Sequence, residues 1–252
     1  MKVVGIIPAR FASTRFGGKP LARILDKTLI RTVYEQAASS KLLNDLIVAT
    51  DDQRIAAEVE SFKGKVVLSS PEHRCGTERV AQAAAGIDAD IVVNIQGDEL
   101  LSSGGMVDEC VGPLLRDESF YAATLACQIA DEADFNNPNV TKVVINLRGT
   151  ALYFSRSPIP SATFTAGSRG TSFLRHIGTY AFRKDFLFEF VRLEQTPLEL
   201  AESLEQLRIL EHGRELAVTV TRSSSFGVDV PSDIRGAERF LLALRAPALE
   251  DS

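Results

Sequence analysis

Apolar runs and helix-period stripes alternate along the first half of the chain. Val3-Val4-Gly5-Ile6-Ile7 is a short apolar run, the pattern of a strand buried on both faces of a parallel sheet. A polar loop follows. Residues 28–40 then carry Leu29, Val33 and Ala37 at i, i+4 and i+8, which predicts a helix. Residues 46–50 predict a second buried strand, 52–62 a second helix, and 65–68 a third strand. Residues 76–85 read as a helix entered by Thr77. Residues 91–95 read as a fourth strand ending in Gln96-Gly97-Asp98-Glu99. This β-α-β-α rhythm predicts an α/β fold with a mostly parallel central sheet flanked by helices.

The second half changes character. Residues 120–126, 141–146, 151–155, 177–182 and 216–221 read as strands with fewer helices between them. Residues 157–172 are rich in Pro, Ser, Thr and Gly and are expected to form a long mobile loop over a site. Residues 197–211 place Leu200, Leu204, Leu207 and Leu210 on one helical face, with Pro197 suited to the first turn. Gly227-Val228-Asp229 leads into a last helix at 232–244, with Ser232 or Asp233 near its N-cap and a frayed tail beyond. No linker or internal repeat interrupts the chain. It is read as one domain, 1–252, with a mixed subregion from about Phe120 to Thr221.

Composition narrows the class. Among 252 residues, 28 Lys+Arg stand against 33 Asp+Glu, a net charge of −5 that disfavours nucleic acid and anionic membranes as partners. No apolar stretch approaches the length of a membrane span. The opening MKVVGIIPAR lacks the core and cleavage site of a secretory leader. Cys75, Cys110 and Cys127 are widely spaced and suggest neither a disulfide framework nor a zinc site, which fits a reducing cytoplasm. The charge is uneven, however. Residues 1–31 hold seven basic groups and one acid, which leaves −11 for the rest.

That asymmetry points to candidate chemistry. In an open parallel sheet, ligands bind beyond the carboxyl ends of the strands. The loop after the first strand holds Arg10, Arg15 and Lys19 among small hydroxyl residues and glycines, a combination suited to a polyphosphate. It is neither a Walker A loop nor GxGxxG, which disfavours P-loop ATPase and dinucleotide chemistry. Asp98 after the fourth strand and Asp229 near the last helix are candidate ligands for a hard cation such as Mg²⁺. Two carboxylates facing a cationic phosphate loop would hold Mg²⁺ against the phosphates, and the ion and the loop's cations would supply the charge neutralisation that phosphoryl transfer needs.

Longer motifs extend this reading. They are IIPARFASTRFGGKPLARI (6–24), IVATDDQRI (47–55), HRCGTERVA (73–81), VNIQGDE (93–99), ALYFSRSPIP (151–160), LRHIGTYAFRK (174–184), LEQLRIL (204–210) and GVDVPSDI (227–234). On these segments the chain resembles the 3-deoxy-manno-octulosonate cytidylyltransferases, or CMP-Kdo synthetases, nearly end to end. The first and fourth motifs occur across sugar nucleotidyltransferases generally. The YFSR, RHIG-Y and LEQLR segments are specific to the Kdo enzymes.

The resemblance implies a GT-A-like nucleotidyltransferase fold. Residues 1–119 would be mainly nucleotide-binding, and 120–221 would carry the sugar site and dimer contacts. Residues 222–252 would form the metal-ligand loop and last helix. It implies transfer of CMP from CTP to Kdo with Mg²⁺, releasing pyrophosphate, in lipopolysaccharide biosynthesis by a cytoplasmic homodimer. Arg10, Arg15 and Lys19 would hold the CTP phosphates, with Arg10, Lys19 and Asp98 catalytic. Pro8, Ala9 and the Cys75-Gly76-Thr77 turn would frame the cytosine, with Arg79 close by. Gln96, Arg156, His176, Tyr180, Glu205 and Gln206 would contact the sugar, and Asp98 and Asp229 would bind Mg²⁺.

Each sugar candidate has a structural alternative: a surface ion pair for Arg156, a core histidine at 176, a sheet aromatic at 180, an exposed helix acid at 205. An 8-amino-Kdo analogue or another acidic sugar is the alternative substrate, and a non-catalytic nucleotide-binding protein the alternative class. The chain departs from the family pattern at Gly17 and Leu100, where proline is usual, and at Cys75, where a small hydroxyl residue is common. Gly17 is expected to loosen the phosphate loop.

Overall fold

The computed structural model describes residues 1–12, 15–161 and 173–246. In chain order the strands are β1 (Val3–Ala9), β2 (Arg23–Ile24), β3 (Lys27–Thr28), β4 (Asp45–Thr50), β5 (Lys65–Leu68), β6 (Ile91–Asn94), β7 (Glu99–Leu101), β8 (Ala122–Gln128), β9 (Lys142–Ile145), β10 (Ala151–Ser155), β11 (Leu174–Arg183), β12 (Leu216–Thr221) and β13 (Ser225–Gly227). The helices are α1 (Leu29–Ala38), α2 (Gln53–Ser61), α3 (Gly76–Ala85), α4 (Gly105–Arg116), α5 (Glu132–Asn136), α6 (Lys184–Phe190), α7 (Pro197–Glu202), α8 (Leu207–Glu211) and α9 (Ile234–Arg245).

Nine of these strands form one sheet, ordered β10-β9-β11-β6-β1-β4-β5, with β8 pairing β11 and β12 pairing β8. Following the pairings, only β10 and β11 oppose the other seven, so the sheet is mostly parallel as the alternating pattern predicts. The apolar run of β1 explains its central place, because alternate residues enter two cores. Ile7 packs with α1, α2, α4 and α9 on one face. Val4 and Ile6 pack with α3, α6 and α8 on the other. Short polar side chains start the helices: Thr28 accepts from Arg31 N, and Asp52 from Arg54 N. No helix of the described residues is long and apolar enough to cross a membrane.

The structure corrects several expectations. The leucine face at 197–211 is not one helix. Ser203 turns left-handed at φ 53°, separating α7 from α8, and Leu200 points outward. Helix α4 goes unforeseen because Gly104, Gly105, Gly112 and Pro113 obscure its pattern, although Met106, Val107, Cys110, Val111 and Leu114 are all buried. Cys75, not Thr77, occupies the N-cap position of α3, and Thr77 lies buried inside the helix. The last helix begins with a 3-10 turn at Pro231–Asp233. The expected loop at 157–172 lies, beyond Ser161, outside the described residues, as does the tail from 247.

Candidate functional site

The loops after β1 and β6 meet at the carboxyl edge of the sheet. A Cβ on Gly97 would lie 2.8 Å from the Pro8 carbonyl oxygen, so glycine permits their close approach. Gly18 adopts φ +72°, a left-handed conformation natural to glycine, and starts the 3-10 turn Lys19–Leu21. That turn aims Lys19 at the two candidate metal ligands. Its Nζ lies 2.5 Å from Asp98 Oδ2 and 3.7 Å from Asp229 Oδ1, and donates to Val228 O at 2.9 Å. Arg15 reaches the same Asp229 oxygen at 3.1 Å.

The β7/β13 ribbon sets the spacing of the carboxylates. Glu99 pairs with Gly227, and Val228 N donates to Asp98 O at 2.8 Å. Asp233 accepts from the backbone of Asp229 and Val230. Among the described residues no group of three or more His, Cys, Asp or Glu could hold a metal. The donor set is instead two carboxylates converging on one cation. This suits Mg²⁺, which takes one or two protein carboxylates and completes its shell with water and phosphate oxygens.

Two cavities meet here. One, of about 420 Å³, is walled by Pro8-Ala9-Arg10, Lys19, Cys75-Gly76, Arg79 and Gln96. Arg10 is exposed on it. Arg79 is buried and committed elsewhere: it pairs with Asp51 at 2.8 Å and bonds Ser69, at the ends of β4 and β5. Thr77 does not line this cavity; its hydroxyl donates to Glu205 and accepts from Asn94 Nδ2 at 3.2 Å. Burial, with the charge of Glu205 next, pushes the Cys75 thiol up to about 12.

The second cavity, of about 1230 Å³, joins the first at Arg15 and Asp98. His176 lines it, accepting or donating a bond to Thr124 Oγ1 at 2.9 Å and resting between Phe154 and Tyr180. Burial drops His176 to about 3, with the charge of Arg175 adding to the effect, so its imidazole is neutral at ordinary pH. Gln96 lines the first cavity, and its side chain lies between Gly76 and Gly178, a residue of the second cavity's wall. A Cβ on Gly178 would lie 3.2 Å from its Cγ, and one on Gly76 3.9 Å from its Oε1.

The remaining sugar candidates line neither cavity. Arg156 donates to the carbonyls of Pro138, Glu202 and Ser203. Gln206 is buried at the N-cap of α8. Glu205 is tied to Thr77, and burial raises its pKa. The Tyr180 hydroxyl is buried without a partner among the described residues, as is Asn94 Oδ1 on the paired position of β6.

The sequence reading missed one network on this wall. Arg175 donates to Ser225 O at 2.7 Å, and Ser225 Oγ to Glu99 Oε1 at 2.7 Å. Glu99 Oε2 accepts from Gly178 N at 3.1 Å. Burial raises the Glu99 carboxyl above its ordinary range. Glu99 stands beside Asp98 in the motif, but no spacing marks Arg175 or Ser225 as its partners.

Comparisons with known proteins agree on one kind of chemistry. The family described as Cytidylyltransferase matches residues 4–216. A 3-deoxy-manno-octulosonate cytidylyltransferase of Geobacter metallireducens is 48% identical over 244 residues, covering 93% of this chain and 95% of that protein. One of Syntrophotalea carbinolica is 44% identical, covering 97% and 100%. The solved structure of CMP:2-keto-3-deoxy-manno-octonic acid synthetase complexed with CTP superposes with a TM-score of 0.90 at 36% identity, covering 96% of this chain and 99% of that one. A cytidylyltransferase from Leptospira borgpetersenii, at 17% identity and TM-score 0.65, shares the fold.

Proposed function

The chain belongs to the 3-deoxy-manno-octulosonate cytidylyltransferase family, and on that premise we propose that it transfers CMP from CTP to Kdo, releasing pyrophosphate. One observation carries the assignment of the site: Lys19, Asp98 and Asp229 converge where the two cavities join. CTP occupies the smaller cavity, with its base against Pro8-Ala9 and Cys75-Gly76. Arg10, Arg15 and Lys19 meet its phosphates. Kdo enters from the larger cavity, past His176 and Gln96, with Tyr180, Glu205, Gln206 and Arg156 behind that wall.

The anomeric 2-hydroxyl of Kdo attacks the α-phosphorus of CTP in line. A P–O bond to the sugar forms as the bond to the bridging oxygen breaks, pyrophosphate leaves with that electron pair, and the hydroxyl proton passes to solvent. The cationic loop neutralises the charge gathering on the leaving group through charge-assisted donors. Asp98 and Asp229 would hold Mg²⁺, which supplies Lewis-acid charge stabilisation at the phosphates when bound. Arg79, locked to Asp51 and Ser69, supports the nucleotide wall. The product feeds lipopolysaccharide assembly, and the protein works in the cytoplasm as a homodimer. Pyrophosphate release tests the reading, using CTP, Mg²⁺ and a panel containing Kdo, its 8-amino analogue and other sugar acids. Release with Kdo is expected, and none with Kdo would overturn it.

A further inference from the structure

We propose that Phe11 and Arg54 form a clasp that fixes the loop bearing Arg10, Arg15 and Lys19, making both positioning residues for the nucleotide; this rests on assigning that loop to the phosphates. Arg54 belongs to α2 and lines neither cavity. Its guanidinium carbon lies 3.3 Å from the centroid of the Phe11 ring. Asp52 holds the guanidinium in a fork, with Oδ1 accepting from Nε at 2.9 Å and Oδ2 from a terminal nitrogen at 2.7 Å. Asp52 also caps α2 by accepting from Arg54 N at 2.9 Å. The clasp is therefore anchored on a helix end rather than on another loop.

The Phe11 ring touches the glycine that precedes Lys19. A Cβ on Gly18 would lie 3.1 Å from the ring's Cε2 and Cζ, and Gly18 N donates to Phe11 O at 2.9 Å. A continuous chain of contacts thus runs from the start of α2 through Asp52, Arg54, Phe11 and Gly18 to Lys19. The loop needs such an anchor. Gly17 and Gly18 give it wide backbone freedom, and ordering a mobile loop opposes binding. A planar guanidinium held by a carboxylate fork and stacked on an aromatic face is a rigid device for limiting that freedom. The Arg54 hydrogen bond, chief among the favourable causes, lowers the Asp52 carboxyl to about 2, so the fork stays charged across ordinary pH.

The test is a double-mutant cycle read by calorimetry with CTP and Mg²⁺, without sugar so that no turnover occurs. Arg54→Ala and Phe11→Leu are each expected to weaken CTP binding by roughly threefold to tenfold. The double variant is expected to bind no worse than the weaker single variant, because both remove one clasp. Asp52 keeps its backbone cap in every variant, so folding should survive. Trypsin nicking at Arg10 and Arg15 without CTP should speed up in both single variants, a readout independent of the nucleotide. Unchanged affinity, unchanged nicking or multiplicative losses in the double variant would overturn the clasp. Wild-type protein that does not bind CTP would overturn the phosphate assignment beneath it, while its nicking rates would still report on the loop.

Discussion

Replacing Lys19 by methionine should move two measurements in opposite directions. Its ammonium sits 2.5 Å from Asp98 and 3.7 Å from Asp229, the position a divalent cation needs. Its side chain is 13% exposed, but the carboxylates are 41% and 51% exposed. At an effective dielectric near 20, each pair taken alone would be worth about 4–7 kcal/mol. Solvent at the carboxylates cuts this to about 0.5–1 kcal/mol per pair. Without nucleotide, then, Lys19 competes with a metal ion by about 1–2 kcal/mol over both pairs. Lys19→Met should bind Mn²⁺ roughly 5- to 30-fold more tightly than the wild type. The same change removes a charge-assisted donor from the phosphates and should lower kcat/KM by about 10²- to 10³-fold. Mn²⁺ titration followed by electron paramagnetic resonance measures the first effect, and pyrophosphate release the second. Unchanged Mn²⁺ affinity would show that Lys19 and the metal do not share a position. Near-normal turnover would show that Lys19 does not serve the phosphates.

Three further outcomes follow from named contacts. Gly97→Ala forces a Cβ to 2.8 Å from the Pro8 backbone oxygen, which should cost about 1–3 kcal/mol and lower Tm by several degrees; a Tm equal to wild type would refute the close approach. His176 sits near 3 when folded and about 6.5 when unfolded, so the unfolded chain binds a proton that the fold refuses. Stability should be complete above pH 6.5 and fall as pH drops toward 3, by at most about 1.4 kcal/mol per pH unit; urea melts at pH 7 and pH 5 should show a smaller loss in His176→Asn, and equal losses would count against burial of the neutral ring. With its thiol raised to about 12, Cys75 should alkylate far more slowly than free cysteine at pH 8 in the folded protein and normally after denaturation, which mass spectrometry of the labelled peptide can follow.

The parallel half of the fold was legible because its strands are continuous apolar runs and its helices carry clean stripes. Lys65–Leu68 falls where its run places it, and the first strand starts with its run at Val3 and continues past Ile7 to Ala9. Helix α4 was hidden because Gly112 and Pro113 lower helix propensity locally, while tertiary packing of Met106, Cys110 and Leu114 decides the outcome. The break at Ser203 could not be read from leucine spacing, since it depends on a left-handed residue and on Glu199, which caps α7 and pairs with Arg208 on α8. At the site, Lys19, Asp98 and Asp229 came from motifs that the fold brings together. The Arg175–Ser225–Glu99 network joins residues from three strands far apart in sequence: β7 and β13 pair in one ribbon, and Arg175 reaches it from β11 in the main sheet.

Strand β11 has a consequence for how the chain can be made and cut. It covers the outer edge of β6 through Tyr180–Arg183, pairing Tyr180 with Asn94 far upstream. Until those late residues leave the ribosome, the nascent chain carries an open parallel edge flanked by Val92 and Val93. Exposed strand edges of that kind template pairing between molecules. An expression fragment stopping at residue 150 would retain β1, β4, β5 and β6 but keep that edge permanently uncovered, and it should accumulate as inclusion bodies rather than as a free nucleotide-binding module.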